Sequence, residues 1–311
     1  MEKGEGVDLR KKYAVLSFPT YLFVNSKGEI VHRTASLMQV GEFLKEAETA
    51  LDPSRNYSTL KEKYEAGDHT NSLLLHYAKA LQKVNRQQSE KIENELLSKI
   101  TDEELNSEFG WQVIQQMARS ESDRLGKYLL LHESYYKQLA GEEAVQTVRN
   151  RLRMSEMYAL IREKNEAVFF TKLDDMRKDP NPVTQRNIAM LEMEYYLEIN
   201  KADSFVFAAQ KAMKGILEHS DADLSFAARR ALYKANGNKE ILDEALLLAR
   251  KAVVLNPEEY SNQGTLASIC LELKLKEEGL KAAKKARQLA DASTSKIQKL
   301  AQNLVDKIEE L

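Results

Sequence analysis

Few residues in this chain are equipped for chemistry, and their spacing brings little together. The single cysteine, Cys270, is the only thiol in 311 residues. A thiol becomes a nucleophile or a metal ligand where a helix N-terminus, a cation or a metal lowers its pKa. Cys270 instead sits among Leu266, Ala267, Ile269 and Leu273, the setting of a small buried hydrophobe. Of the five histidines, His69 and His76 are the nearest pair, while His32, His132 and His219 are remote, and zinc sites show tighter pairs with cysteine or carboxylate help. No metal site is expected. The adjacent acids Asp174–Asp175 and Glu142–Glu143 point apart on a helix and cannot share a proton. There is no glycine-rich phosphate loop and no Gly-x-Ser-x-Gly elbow, so neither catalytic nor cofactor-binding residues are assigned.

Composition narrows the class further. Lys plus Arg number 46 against 48 Asp plus Glu, for a net charge of −2, and the signs are interspersed, which argues against a nucleic-acid footprint. Mean hydropathy is −0.52, and no run approaches the ~18 apolar residues of a membrane span. The opening Glu2-Lys3-Gly4-Glu5-Gly6 is polar and lacks the apolar core of a signal peptide. One cysteine forbids an internal disulfide framework.

The elements that would position a site begin with Tyr13 to His32. Two β-branched and aromatic runs, Thr20 to Val24 and Glu29 to Arg33, flank Asn25-Ser26-Lys27-Gly28, whose glycine readily takes positive φ. A β-hairpin is predicted, with Pro19 at the start of its first strand, where a missing N–H is tolerated. Met38 to Leu51 then reads as an amphipathic helix carrying Val40, Phe43, Leu44, Ala47 and Leu51 at helical spacing.

Tyr13, Val15, Phe18-Pro19-Thr20 and Phe23, followed by a glycine turn, a strand and a helix, resemble the C-terminal half of a thioredoxin domain over residues 7 to 51. The resemblance makes Pro19 the family's cis-proline and Phe18, Pro19 and Thr20 the loop against which an extended peptide pairs. It also exposes a departure. The family's Cys-x-x-Cys lies well upstream of this proline, and no cysteine precedes Pro19 here. Dithiol exchange within this chain is therefore excluded. Either the domain is truncated or it has lost its chemistry, and in both cases Thr20 to Val24 is expected to be an open sheet edge.

Beyond Leu51 glycine and proline become rare and Leu, Ala, Glu and Lys dominate, so the rest is expected to be helical. Polar breaks at 64–68, 84–86, 120–122, 140–141, 178–182, 200–201, 219–220, 236–238 and 256–257 predict helix pairs joined by short loops. Ala245, Ala249, Ala252 and Pro257, with Phe226 and Tyr233 before them, resemble the small residues, closing proline and aromatics of a tetratricopeptide repeat. Leu266-Ala267, Cys270, Gly279, Ala283 and Ala286 repeat the spacing. In such a stack small residues permit close approach while leucines and aromatics fill the gaps. Trp111, Tyr128, His132, Tyr135 and Tyr136 could line a groove, although an aromatic stripe more often forms core.

The expected architecture is thus mostly α: residues 1–51 form a partial, thioredoxin-like hairpin-plus-helix element. Residues 52–311 form a tetratricopeptide-like helical solenoid, clearest over 222–291, with a capping helix at 293–311. By resemblance this combination is that of exported thiol-disulfide oxidoreductases or isomerases of the bacterial envelope, whose repeat domain holds a protein partner near the thiols. The resemblance places the chain in the periplasm or envelope; a cytoplasmic location is the alternative. No activity is expected of the chain itself and no cofactor is implied. The alternative function is a non-catalytic helical scaffold for a protein or peptide. Self-association through the hairpin edge is a further expectation.

Overall fold

A computed structural model describes residues 5–15 and 18–311; Leu16 and Ser17, within the hairpin's approach, and most of the polar opening lie outside the described residues. The protein is mostly α-helical, with one two-stranded antiparallel sheet followed by many helices. Contacts divide it into two compact units, Met1–Arg153 and Met154–Leu311.

The first unit opens with α1 (Glu5–Lys12), β1 (Thr20–Val24), β2 (Ile30–Ala35) and α2 (Val40–Leu51). Gly28 closes the hairpin turn at φ 78°, while the Asn25 side chain accepts the N–H groups of Lys27 and Glu29. Thr20 stands opposite Ala35 and Phe23 opposite His32, with a bulge after Phe23. Helices α3 (Tyr57–Glu65), α4 (Asn71–Gln82), α5 (Arg86–Lys99), α6 (Asp102–Leu105), α7 (Glu108–Met117), α8 (Arg124–Leu131), α9 (Glu133–Ala140) and α10 (Glu142–Glu163) follow, the unit boundary falling within α10. The core runs through Leu74, Tyr77, Leu96, Leu105, Val113, Leu129, Tyr136 and Val145.

The apolar stripe read in α2 is only half used. Phe43 packs its ring on Tyr21 and Phe23. Leu37, Val40 and Leu51 are 88%, 76% and 85% exposed, and Leu44 is exposed as well. What fastens the hairpin is polar. The buried His32 of β2 accepts the N–H of Tyr57 at Nδ1, 3.3 Å away, and meets the Glu46 carboxylate of α2 at Nε2, 3.0 Å away. A backbone N–H can only donate, so Nδ1 is the acceptor and Nε2 carries the hydrogen given to Glu46. One imidazole thereby joins β2, α2 and the first turn of α3.

The second unit comprises α11 (Glu166–Arg177), α12 (Pro182–Glu198), α13 (Ala202–Lys214), α14 (Asp221–Lys234), α15 (Lys239–Leu255), α16 (Tyr260–Glu272), α17 (Lys276–Leu289), a 3-10 turn at Ala290–Ala292 and α18 (Ser295–Glu309). Helices pair as α12 with α13, α14 with α15 and α16 with α17; α14 also touches α12 and α16, and α15 touches α13. Small residues set the spacing. Ala245, Ala249 and Ala252 are fully buried on α15, and Gly279 lets α17 approach until a Cβ there would stand 2.9 Å from that of Cys270. Among the described residues no helix is long and apolar enough to cross a membrane.

Candidate functional site

Phe18, Pro19 and Thr20 lie together at the entrance to β1. The Phe18–Pro19 peptide bond is cis, and the Phe18 ring is 52% exposed with the Arg10 guanidinium 6.0 Å from its centre. Pro19 accepts the Ser36 N–H at 3.1 Å, which continues the ladder one residue past the strand. That bond sets the alternation: residues 19, 21 and 23 face β2, and Leu22 turns its backbone groups to the outer edge. Among the described residues β1 pairs with β2 alone.

Cys270 is distant in sequence and sits in the second unit, fully buried. Its thiol is pushed up to about 12 by burial, with Glu278 adding to the effect. The Arg250 cation lowers the thiol's pKa by less than burial raises it, so Cys270 lacks the depressed pKa of an activated nucleophile. The histidines are separately engaged: His69 Nδ1 meets Glu95 at 2.6 Å, His132 stacks on Tyr128, and burial holds His76 below its usual range. No group of three or more metal-ligating side chains occurs among the described residues. The adjacent acids part as their spacing requires, Asp174 pairing with Arg177 and Asp175 with Lys178.

Trp111 and Tyr136, read as possible groove residues, are packed into the core against one another. Tyr128, Tyr135 and Tyr136 donate their hydroxyls to the carbonyls of Asp102, Asn106 and Leu105, respectively. They tie α8 and α9 to α6: the Asp102 and Leu105 carbonyls take these hydroxyls as second donors beside the N–H groups of Asn106 and Ser107, and the Asn106 carbonyl lies just after the helix.

The aromatics of α14 depart from the expected packing in the other direction. Phe226 and Tyr233, read as fillers between successive pairs, are 43% and 78% exposed. The reason is the phase of the helix. Leu224, Ala227, Ala228 and Ala231 take the buried face, leaving Phe226, Arg229 and Tyr233 on the open one. Arg229 lies over the Phe226 ring and Arg230 over the Tyr233 ring, each about 6 Å from the centroid. Beneath them, α12 and α14 are joined by three ion pairs: Arg186 with Asp223 at 3.4 Å, Arg230 with Glu194 through both carboxylate oxygens, and Lys234 with Glu198. Reading the sequence for motifs missed this ladder. The four-residue steps from Glu194 to Glu198 and from Arg230 to Lys234 were its only signal. The face presents aromatic rings beside guanidinium groups held by stacking and ion pairing.

No family model matches this sequence, and no curated protein matches it.

Proposed function

We propose that the chain is a non-catalytic helical-repeat scaffold that holds a protein or peptide partner on the face formed by α12, α14 and α16. The observation that carries this reading is the exposure of Phe226 and Tyr233 beside Arg229 and Arg230, whose stacking and ion pairing hold them in place. Aromatic and arginine side chains supply most of the energy of protein interfaces, and groups already ordered lose little entropy on binding. The test is selection of peptides from a random displayed library against the folded chain. Selected peptides should lose about tenfold or more in affinity for Phe226→Ala/Tyr233→Ala, the loss typical of hot-spot residues. Peptides that bind the double variant as tightly as the wild type would overturn the reading.

The exposed Phe18 and the outer edge of β1 favour a second reading, in which the hairpin and α2 are part of a thioredoxin-like domain of an envelope thiol-disulfide oxidoreductase and Phe18, Pro19 and Thr20 receive an extended peptide. Intact mass and thiol count of the protein from its own cells test it. Two further alkylatable thiols in the same polypeptide support the oxidoreductase, and a single thiol removes it.

A further inference from the structure

A second feature of the C-terminal unit lies between α13 and α15, away from the aromatic face of α14. There the two helices border a cleft of about 400 Å³ with Val206 on one wall and Leu247 on the other. Its remaining lining is Lys239, Glu240, Asp243 and Glu244, all on α15. Lys239 and Asp243 neutralise one another at 2.7 Å. Glu240 faces Asp203 of α13, and slight desolvation together with that second acid raises its pKa although the side chain stays open to solvent. This leaves the rim short of positive charge.

Glu244 is different in kind. It is only 3% exposed, where Lys239, Glu240 and Asp243 are open, so it forms the floor. Its Oε2 accepts a hydrogen bond from Gln210 Nε2 at 3.0 Å, and its Oε1 is buried with no partner. Protonation does not repair this. An ionised Oε1 lacks a donor, and a protonated one lacks an acceptor. Lys214 favours the charged form without closing an ion pair, and burial outweighs it, raising the carboxyl above its usual range. A buried, half-satisfied carboxyl destabilises a fold, and an apolar residue of similar size would pack at this position without that cost.

From this geometry we infer that the cleft between α13 and α15 is a binding site for an organic cation, an ammonium or guanidinium group on an aliphatic stem. The cationic head meets the Glu244 carboxyl at the floor, where a turn of that side chain brings the unpartnered Oε1 into the cleft, with Glu240 and Asp203 at the entrance and the stem between Val206 and Leu247. A guanidinium or ammonium group supplies N–H donors to carboxylates singly, without the coordination shell of a metal ion.

The probe is n-butylguanidinium, titrated into the full chain and followed by backbone amide shifts, with n-butanol as the uncharged control. Saturable shifts confined to residues 203–210 and 239–247, absent with butanol, are expected. Glu244→Gln keeps the shape of the side chain and a partner for Gln210, and it should weaken binding about tenfold or more, the loss of one charge-assisted bond. Glu258→Gln removes an exposed acid that pairs with Lys285 outside the lining of the cleft and should leave affinity within about twofold, as for an exposed ion pair. A peptide carrying one arginine identifies the source: tighter binding than butylguanidinium marks a cation borne by a partner, and weaker binding marks a small free amine, the site standing in either case. Absence of saturable shifts, or equal affinity of Glu244→Gln and wild type, would overturn the inference.

Discussion

Cys270 shows how a residue's chemistry follows from its surroundings. Burial that pushes the thiol up to about 12 keeps it protonated at neutral pH and out of reach of reagents. In the native chain iodoacetamide should leave Cys270 unmodified at pH 8 over hours, and modification should be complete in denaturant. Fast native labelling, read by mass, would show that the α16–α17 packing opens readily. Glycines test the same packing from the other side. A methyl group at Gly279 would press on the Cys270 side chain, whereas at Gly110 it would stand 1.9 Å from the Leu105 carbonyl oxygen. Gly279→Ala should cost about 1–3 kcal/mol, the usual range for overpacking, and Gly110→Ala more, because backbone must move. Urea denaturation of the two variants gives the order directly, and a reversed order would refute the assignment.

At the scale of elements, the hairpin is secured by the His32 imidazole more than by the apolar stripe of α2. Glu46 is held below the ordinary carboxylate range chiefly by its hydrogen bond from His32, with Lys83 helping and burial opposing. A carboxyl whose folded pKa is depressed stabilises the fold at neutral pH, and that contribution is lost as pH falls through and below the ordinary carboxylate range. Between pH 7 and pH 3 the wild type should therefore lose more stability than Glu46→Gln; equal losses in denaturant midpoint would exclude the coupling. His32→Phe leaves the Tyr57 N–H without its acceptor and the Glu46 carboxylate with Lys83 in place of its imidazole donor, and should cost about 1–3 kcal/mol, the usual penalty for a lost hydrogen bond that leaves a shielded donor unpaired.

The same elements show what the sequence made legible. Thr20 to Val24 alternates and Gly28 punctuates, so the hairpin was readable almost to the residue; the helix at 38–51 was too. Helix ends after Lys99, Leu105 and Leu131 were missed, and so were those at Lys164 and Lys274, where lysine takes the left-handed conformation in which glycine would have been the signal. Phe226 and Tyr233 were readable as a pair on one helix but not as exposed, because helical spacing gives the stripe and not its phase against the neighbours. Glu244 gave no warning at all, since a glutamate within a charged helix reads as solvated.

For the whole molecule, the hairpin region and the helix pairs differ in how much they bury. Few side chains of residues 18–51 are fully shielded, whereas α14 to α17 are shielded along nearly every inner position. Hydrogen exchange should therefore be faster at the outward-facing Leu22 than anywhere in Leu266 to Leu273. Equal protection in a monomeric sample would mean that something in the chain covers the strand.

Composition and packing together give this protein an unplanned convenience. Its single tryptophan, Trp111, is buried in the unit Met1–Arg153, and its single cysteine, Cys270, in the unit Met154–Leu311. Indole emission thus reports on the first unit and thiol accessibility on the second. One denaturant series on the unaltered chain follows each unit in its own signal, with no label introduced and no residue replaced.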